Sequence, residues 1–400
     1  MNIMVPSNEN KLALSMGVLC FQGFGIRIFE GVMDGAIVFW LLVLVLLNFK
    51  SLRRTTLKYW LKMVGIVMAY FVFCLIKGVP VLPYIIVAWF SSAVVLTPYY
   101  LGQANFVNVM RRLTRFCMYY SLCHVPIILL FKDNLITTSF GMHPKTFLYL
   151  FYFNGVDNGF AGMPRIQGFC WEPSCWNLLL DLNLVFALYF KERLSVIIAS
   201  LFAIITIMST TGLMVMLVIV GIYYMMNMRL KRILQTSVAL CIFALLIGPI
   251  IYGNLRDKLN SGSGNARIGD FAIALAVIEK HPLLGIDIDD LTHSALAMQA
   301  RERAWTATGD KVGYMEQEMV NSFAALIVEW GVPIVLIIFW LMFKTPLLPE
   351  KKLKMLYLFA VLCVLMGTPI ARTGFFYLYA FSTILLPNMN RKKKYVIRWK

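Results

Sequence analysis

Residues 191–232 read KERLSVIIASLFAIITIMSTTGLMVMLVIVGIYYMMNMRLKR. Two apolar blocks, 194–209 and 211–228, lie back to back in this stretch. Lys191 and Arg193 precede the first block, and Arg229, Lys231 and Arg232 follow the second. Each block approaches the roughly 17–25 residues that a helix needs to cross a hydrocarbon core of about 30 Å. Basic residues at both outer ends put those ends on the same, cytoplasmic side of a bilayer. The stretch predicts a hairpin of two membrane helices.

Working outward, the same pattern repeats along the chain. Further apolar blocks fall at about 12–27, 33–49, 63–77, 82–101, 116–131, 170–190, 234–252, 321–343, 355–369 and 374–388. Basic clusters mark every second junction, among them Lys50 to Lys62, Arg111/Arg112/Arg115 and Lys344 to Lys354, and the tail Arg391–Lys394 closes the series. Twelve helices with both termini cytoplasmic satisfy every cluster, whereas eleven would leave the basic tail outside. The first block, Leu12–Ile26, begins the bundle and is not a cleavable leader. The expected fold class is all-α: one integral membrane domain over residues 1–400, a polytopic helix bundle. Strand-like alternation long enough for a barrel is absent.

Composition agrees with the pattern. Apolar residues make up 60% of the 400 and charged residues 14%, against roughly 45–50% and 25% in soluble domains. A single soluble core stops growing near about 250–300 residues and cannot hide that excess. The net charge of +17 is explained by position: 24 of the 37 Lys and Arg fall in segments assigned to the cytoplasm, beside only Glu9, Glu192 and Glu350. This is the positive-inside bias, and no nucleic-acid partner is expected. Most of the eight Cys sit inside apolar blocks, so no disulfide framework is expected. Cys170 and Cys175 read as free packing thiols. No zinc spacing and no phosphate-cradling glycine loop occurs, so neither a metal site nor a cofactor is expected.

Two segments are too long to be connectors, and both fall outside. Residues 132–169 carry an aromatic run, Phe147–Phe153, suited to the headgroup region. Residues 253–320 carry seven basic and ten acidic residues. They open on a flexible Asn260–Asn265 and continue in an amphipathic helix, Arg267–Lys280, with Ile268, Phe271, Leu275 and Ile278 as its apolar stripe. Long loops with their own structure are usually functional.

Three stretches in and beside these loops carry a resemblance. They are Arg165-Ile-Gln-Gly-Phe-Cys-Trp-Glu172-Pro173; Arg267 followed by His281-Pro-Leu-Leu-Gly285; and Asn321-Ser-Phe-Ala-Ala-Leu-Ile-Val-Glu329-Trp-Gly331. In kind and order, over roughly residues 160–345, the chain resembles the O-antigen polymerase (Wzy) and O-antigen ligase superfamily of polysaccharide-assembling membrane proteins. The departures are Val320 where the family often has His, Thr210 where it often has Arg, and Asp287 where a second Gly is usual.

The resemblance implies a GT-C-like glycosyltransferase of the bacterial inner membrane. Its substrate would be an oligosaccharide on an undecaprenyl pyrophosphate carrier, polymerised at the outer face. It leaves open a chain-length regulator protein as partner. Chemistry of this kind needs cations on the departing pyrophosphate, a base for the acceptor hydroxyl and a groove for the lipid. Arg is permanently charged and forked, which suits pyrophosphate. Arg165, Arg267 and Arg372 are the candidate cations, with a snorkelling anchor as the competing role for each.

Glu172, at the mouth of a helix beside Pro173, is a candidate base or a helix-start carboxylate. His293 is the second candidate base, and His281 touches phosphate or caps the amphipathic helix. Asp181, mid-span and on the face opposite Glu172, is expected to form a polar pair with Asn177 or His124. Asp287, Asp289 and Asp290 read as a solvated acidic loop before a cation site. A flippase for lipid-linked glycan, or a ligase acting on lipid A core, is the alternative.

Overall fold

The computed structural model describes residues 57–79, 103–138, 143–158, 163–170, 172–227, 262–286, 319, 321–368 and 374–386. Within them the chain is mostly helical. The helices are α1 (Leu57–Lys77), α2 (Gln103–Phe131), α3 (Pro173–Tyr189), α4 (Leu194–Ile207), α5 (Thr210–Asn227), α6 (Gly262–Lys280), α7 (Ser322–Phe343), α8 (Lys351–Leu365) and α9 (Gly374–Leu385). The spans expected at 12–27, 33–49, 82–101 and 234–252 lie outside the described residues.

Among the described residues, three helices are long and apolar enough to cross a membrane: Leu57–Lys77, Phe106–Asn134 and Ser322–Phe343. Leu194–Ile207, Thr210–Met226 and Phe375–Leu385 are apolar but shorter. By that measure the described chain carries three clear spans, not twelve.

Helix α3 is the axis of the bundle. Every residue from Pro173 to Leu188 is buried, and α2, α4, α5 and α8 pack around it. A helix that is apolar nearly all round belongs in such a position. The outer helices instead show water-insoluble side chains to their surroundings. On α1, Leu57, Leu61, Val64, Met68, Val72 and Leu75 recur at three- and four-residue steps and are all exposed. An apolar surface of that extent marks a lipid-facing belt.

Three expectations are corrected. The all-α class omits a four-stranded antiparallel sheet inside residues 132–169, in the order β1 (Ile136–Thr137), β2 (Lys145–Phe147), β3 (Phe151–Asn158), β4 (Pro164–Ile166). Three of the strands have only two or three residues, too few to show alternation. The aromatic run becomes a hairpin whose tip, Leu148 to Leu150, is exposed. Helix α2 begins at Gln103, ahead of the expected span at 116–131, and the added turns carry Arg111 and Arg115, which pair with Glu192. Helix α6 begins at Gly262, so part of the stretch expected to be flexible is helical. Its buried face is Ile273, Ala274 and Val277, while Leu275 of the expected stripe points outward at 61% exposure. Small alanines let α6 approach α7 closely, where Ala324, Ala325 and Val328 complete a second core.

Candidate functional site

The Arg165–Glu172 stretch folds as strand, turn and helix start. Strand β4 pairs with β3 in the register Phe153↔Ile166, and the Gln167 amide donates to the Tyr152 carbonyl at 3.1 Å. Gly168 then passes so close to Trp176 that a Cβ there would lie 2.1 Å from the indole ring. Pro173 occupies the first turn of α3, where its missing N–H costs nothing.

Glu172 sits at the N-cap with extended backbone, but its side chain does not cap the helix. Ser174 Oγ donates to Glu172 Oε1 instead. The carboxylate is half-buried at the positive end of the helix dipole. Arg165 is only 8% exposed. A snorkelling anchor extends its head to water or headgroups, and Arg165 does not.

An aromatic cluster locks this element onto α2. The Tyr120 ring lies 4.5 Å from Phe169, 4.6 Å from His124 and 5.5 Å from both Phe151 and Trp176, centroid to centroid. Its hydroxyl donates to the Leu150 carbonyl at 2.5 Å, and Trp176 Nε1 donates to Ser121 Oγ at 2.7 Å. Tyr152 donates to the Tyr149 carbonyl at 2.8 Å; burial first, then the Tyr149 phenol, raises its pKa.

The Arg267 and Asn321–Gly331 stretches dock on each other. Asn321 caps α7, its Oδ1 accepting from the Phe323 and Ala324 amides at 3.0 and 3.1 Å. Its own amide donates to Asp270 Oδ2 on α6 at 2.8 Å. Ten residues on, α7 breaks at Gly331 (φ 72°, ψ 163°), with Pro333 just beyond. The His281–Gly285 turn fills the break: Ile286 N donates to Val328 O at 2.7 Å and Val332 N to Pro282 O at 3.0 Å. Lys77, from the end of α1, donates to Glu329 O and, at 3.2 Å, to Ile286 O. Thus Arg267 sits one helical turn from an α7 entry that is tied at both ends.

A polar seam runs between α3, α5, α7 and the segment that follows α8. Asn177 Nδ2 donates to Asp181 Oδ2 at 3.0 Å, and the Asn177 amide lies against Gly212, where a Cβ would fall 1.5 Å from Nδ2. Gly367 faces Thr211 in the same way at 3.0 Å, and Ser322 Oγ donates to Thr368 O at 2.5 Å. The first turns of α3, α5 and α7 and the end of α8 therefore meet. Asp181 Oδ1, Asn177 Oδ1, Thr210 Oγ1 and Thr368 Oγ1 are buried with no hydrogen-bond partner among the described residues. Buried oxygens without partners are rare in native structures and call for an explanation.

The comparisons with family models, curated proteins and solved structures give no match.

The structure places the candidate residues unevenly. Arg165 and Glu172 share one strand–turn–helix element, and the backbone of Arg267 lies in α6. His281 ends α6 exposed, its amide donating to Val277 O at 2.6 Å. His293, Arg372 and Asp287 to Asp290 lie outside the described residues. Asp181 pairs with Asn177, while His124 Nδ1 lies 2.9 Å from the Tyr120 carbonyl. No group of three or more metal-ligating side chains occurs among the described residues. Cys170 and Cys175 are buried, and neither forms a disulfide among the described residues. The residue that sequence reasoning missed is Lys77: a lysine closing an apolar helix reads as a boundary marker, and its carbonyl partners are over 200 positions away.

Proposed function

We propose that this chain is a glycosyltransferase that polymerises undecaprenyl-pyrophosphate-linked oligosaccharide at the outer face of a bacterial inner membrane. The reading includes twelve membrane helices in a GT-C-like bundle, both termini cytoplasmic, and the segments 132–169 and 253–320 outside. The observation that carries it is the docking of α6 on α7 through Asp270 and Asn321 at one end and Gly285 and Gly331 at the other. Two of the three stretches that resemble polysaccharide polymerases are thereby one structural unit. The seam from Ser322 through Thr368 and Gly212 to Asn177 links that unit to the helix that Glu172 opens.

In this reading an acceptor hydroxyl on one lipid-linked repeat attacks the anomeric carbon of the growing glycan on another. The new glycosidic C–O bond forms as the bond to pyrophosphate breaks. The hydroxyl proton passes to the Glu172 carboxylate, and the lipid pyrophosphate departs with the bonding electrons. Arg165 and Arg267 meet the charge that develops on the leaving group; Arg372 and His281 are further phosphate contacts and His293 the reserve base. Glu172 suits its role because it is half-exposed at a helix mouth, oriented by Ser174.

Deleting the gene tests the reading. Surface polysaccharide reduced to single repeats on its normal acceptor supports polymerisation. Complete loss of surface material points instead to export or ligation.

A further inference from the structure

At the end of α3 opposite Glu172, about 25 Å away along the helix, a cavity of about 350 Å³ opens against α2, lined by Asn108, Arg111, Arg112 and Arg115. Arg111 and Arg115 are one turn apart and share one carboxylate. Arg111 Nε donates to Glu192 Oε1 at 2.5 Å, and Arg115 Nη2 donates to Glu192 Oε2. Arg115 Nε also donates to Asn183 Oδ1 at 3.2 Å, and the Arg111 guanidinium lies 5.3 Å over the Phe190 ring. The Glu192 side chain is only 7% exposed. Arg112, next along the helix, is exposed.

This arrangement exceeds what orientation in a membrane requires. Basic residues that only mark the inner face act through charge count, on flexible stems. Here two guanidiniums are held in place by a buried carboxylate, an amide and an aromatic face, and among the described residues the cavity lining is three arginines and one asparagine. The volume falls in the range of about 300–1,000 Å³ typical of small-molecule sites. The guanidinium fork matches the oxygens of a phosphate.

We propose that this cavity binds the phosphate headgroup of an anionic phospholipid. The surface beside it decides for a lipid over a soluble anion. Phe116 and Tyr119 on α2, and Leu194, Ile198 and Phe202 on the adjoining α4, are exposed and apolar immediately beyond the arginines. A phosphate seated on Arg111 and Arg112 would lay its acyl chains along them. Basic pockets between helices at a membrane edge recognise anionic headgroups in this way. Bound there, the lipid braces the junction of α2, α3 and α4, whatever reaction the other end of the molecule performs.

Thermal unfolding of the full-length, delipidated protein in neutral detergent tests this, with added phosphatidylglycerol, phosphatidylcholine or inorganic phosphate. Phosphatidylglycerol should raise the midpoint saturably, and the other two should not at equal concentration. Measured from that variant's own lipid-free midpoint, the phosphatidylglycerol response of Arg112→Gln should weaken about tenfold or more. Arg112→Lys should recover part of it, and Lys132→Gln, at the other end of α2, should change nothing. Equal responses to both lipids, or equal losses in Arg112→Gln and Lys132→Gln, would overturn the proposal. A full shift with inorganic phosphate alone would assign the cavity to a soluble anion and overturn the lipid assignment.

Discussion

Gly285 and Gly331 meet backbone against backbone. A Cβ on Gly285 would stand 2.0 Å from the Val328 carbonyl oxygen, and one on Gly331 would stand 2.4 Å from the Leu283 carbonyl oxygen. Both residues have positive φ, 63° and 72°. The contact joins the turn that ends α6 to the kink in α7, and it lets two backbone hydrogen bonds cross between them.

Gly331→Ala should therefore cost at least about 2 kcal/mol of stability, from an unfavourable left-handed backbone and a clash with immovable main chain. Gly269→Ala on α6, with nothing within 4 Å, should be neutral or stabilise by up to about 1 kcal/mol. Thermal unfolding of the two purified variants checks the contrast. Equal midpoints would mean that the turn and the kink do not touch.

The Asp270–Asn321 tie makes a second prediction. Asn321→Ala removes the α7 cap at a cost of about 0.5–2 kcal/mol. Asp270→Ala removes a charge-assisted bond of about 1.5–3 kcal/mol and leaves the Asn321 amide unsatisfied. Both should lower polymer yield per molecule of membrane-inserted protein, because Arg267 lies on the same stretch of α6. Normal polymer at normal protein level in both variants would separate α6 from the reaction.

Glu172→Gln keeps the size and the helix position of the side chain but removes the proposed base. Polymer formation should fall about 10²- to 10⁴-fold, the usual share of general base catalysis, with membrane levels unchanged. Loss of the protein from the membrane would instead make Glu172 a structural carboxylate. Undiminished polymer would end its role.

Much of the helical framework was legible because apolar blocks between charge clusters have few other solutions in a chain this apolar. The sheet was not: strands as short as Ile136–Thr137 and Pro164–Ile166 carry no period, and aromatic residues such as Phe151 and Phe153 serve a membrane interface as readily as a core. Nor was the early start of α2, since Arg111 and Arg115 read as junction charges until Glu192, some eighty positions on, is seen between them. For the proposed site, local strings singled out Arg165, Glu172, Arg267 and Asn321. The contacts that dock α6 on α7 were hidden, because a carbonyl freed by a kink, such as Glu329 O, leaves no mark on sequence, and neither does its donor, Lys77.

Topology is checked separately from chemistry. A Ser261→Cys variant in a cysteine-free background should react with a membrane-impermeant thiol reagent in intact cells, and a cysteine placed after Lys400 should not. Labelling of residue 261 only after the inner face is exposed would reverse the assignment of segment 253–320.

Polymer output from Arg267 variants at equal membrane level tests the central claim most directly. A guanidinium holding pyrophosphate contributes about 1.5–3 kcal/mol, more where transition-state charge sits in a dry site. Arg267→Ala should then slow polymerisation roughly ten- to several-hundred-fold. Arg267→Lys should restore only part, since an ammonium keeps the charge without the fork. A snorkelling anchor would tolerate Lys fully and Ala nearly so. Full polymer in both variants would contradict the assignment of Arg267 to the site and, with it, the glycosyl-transfer account.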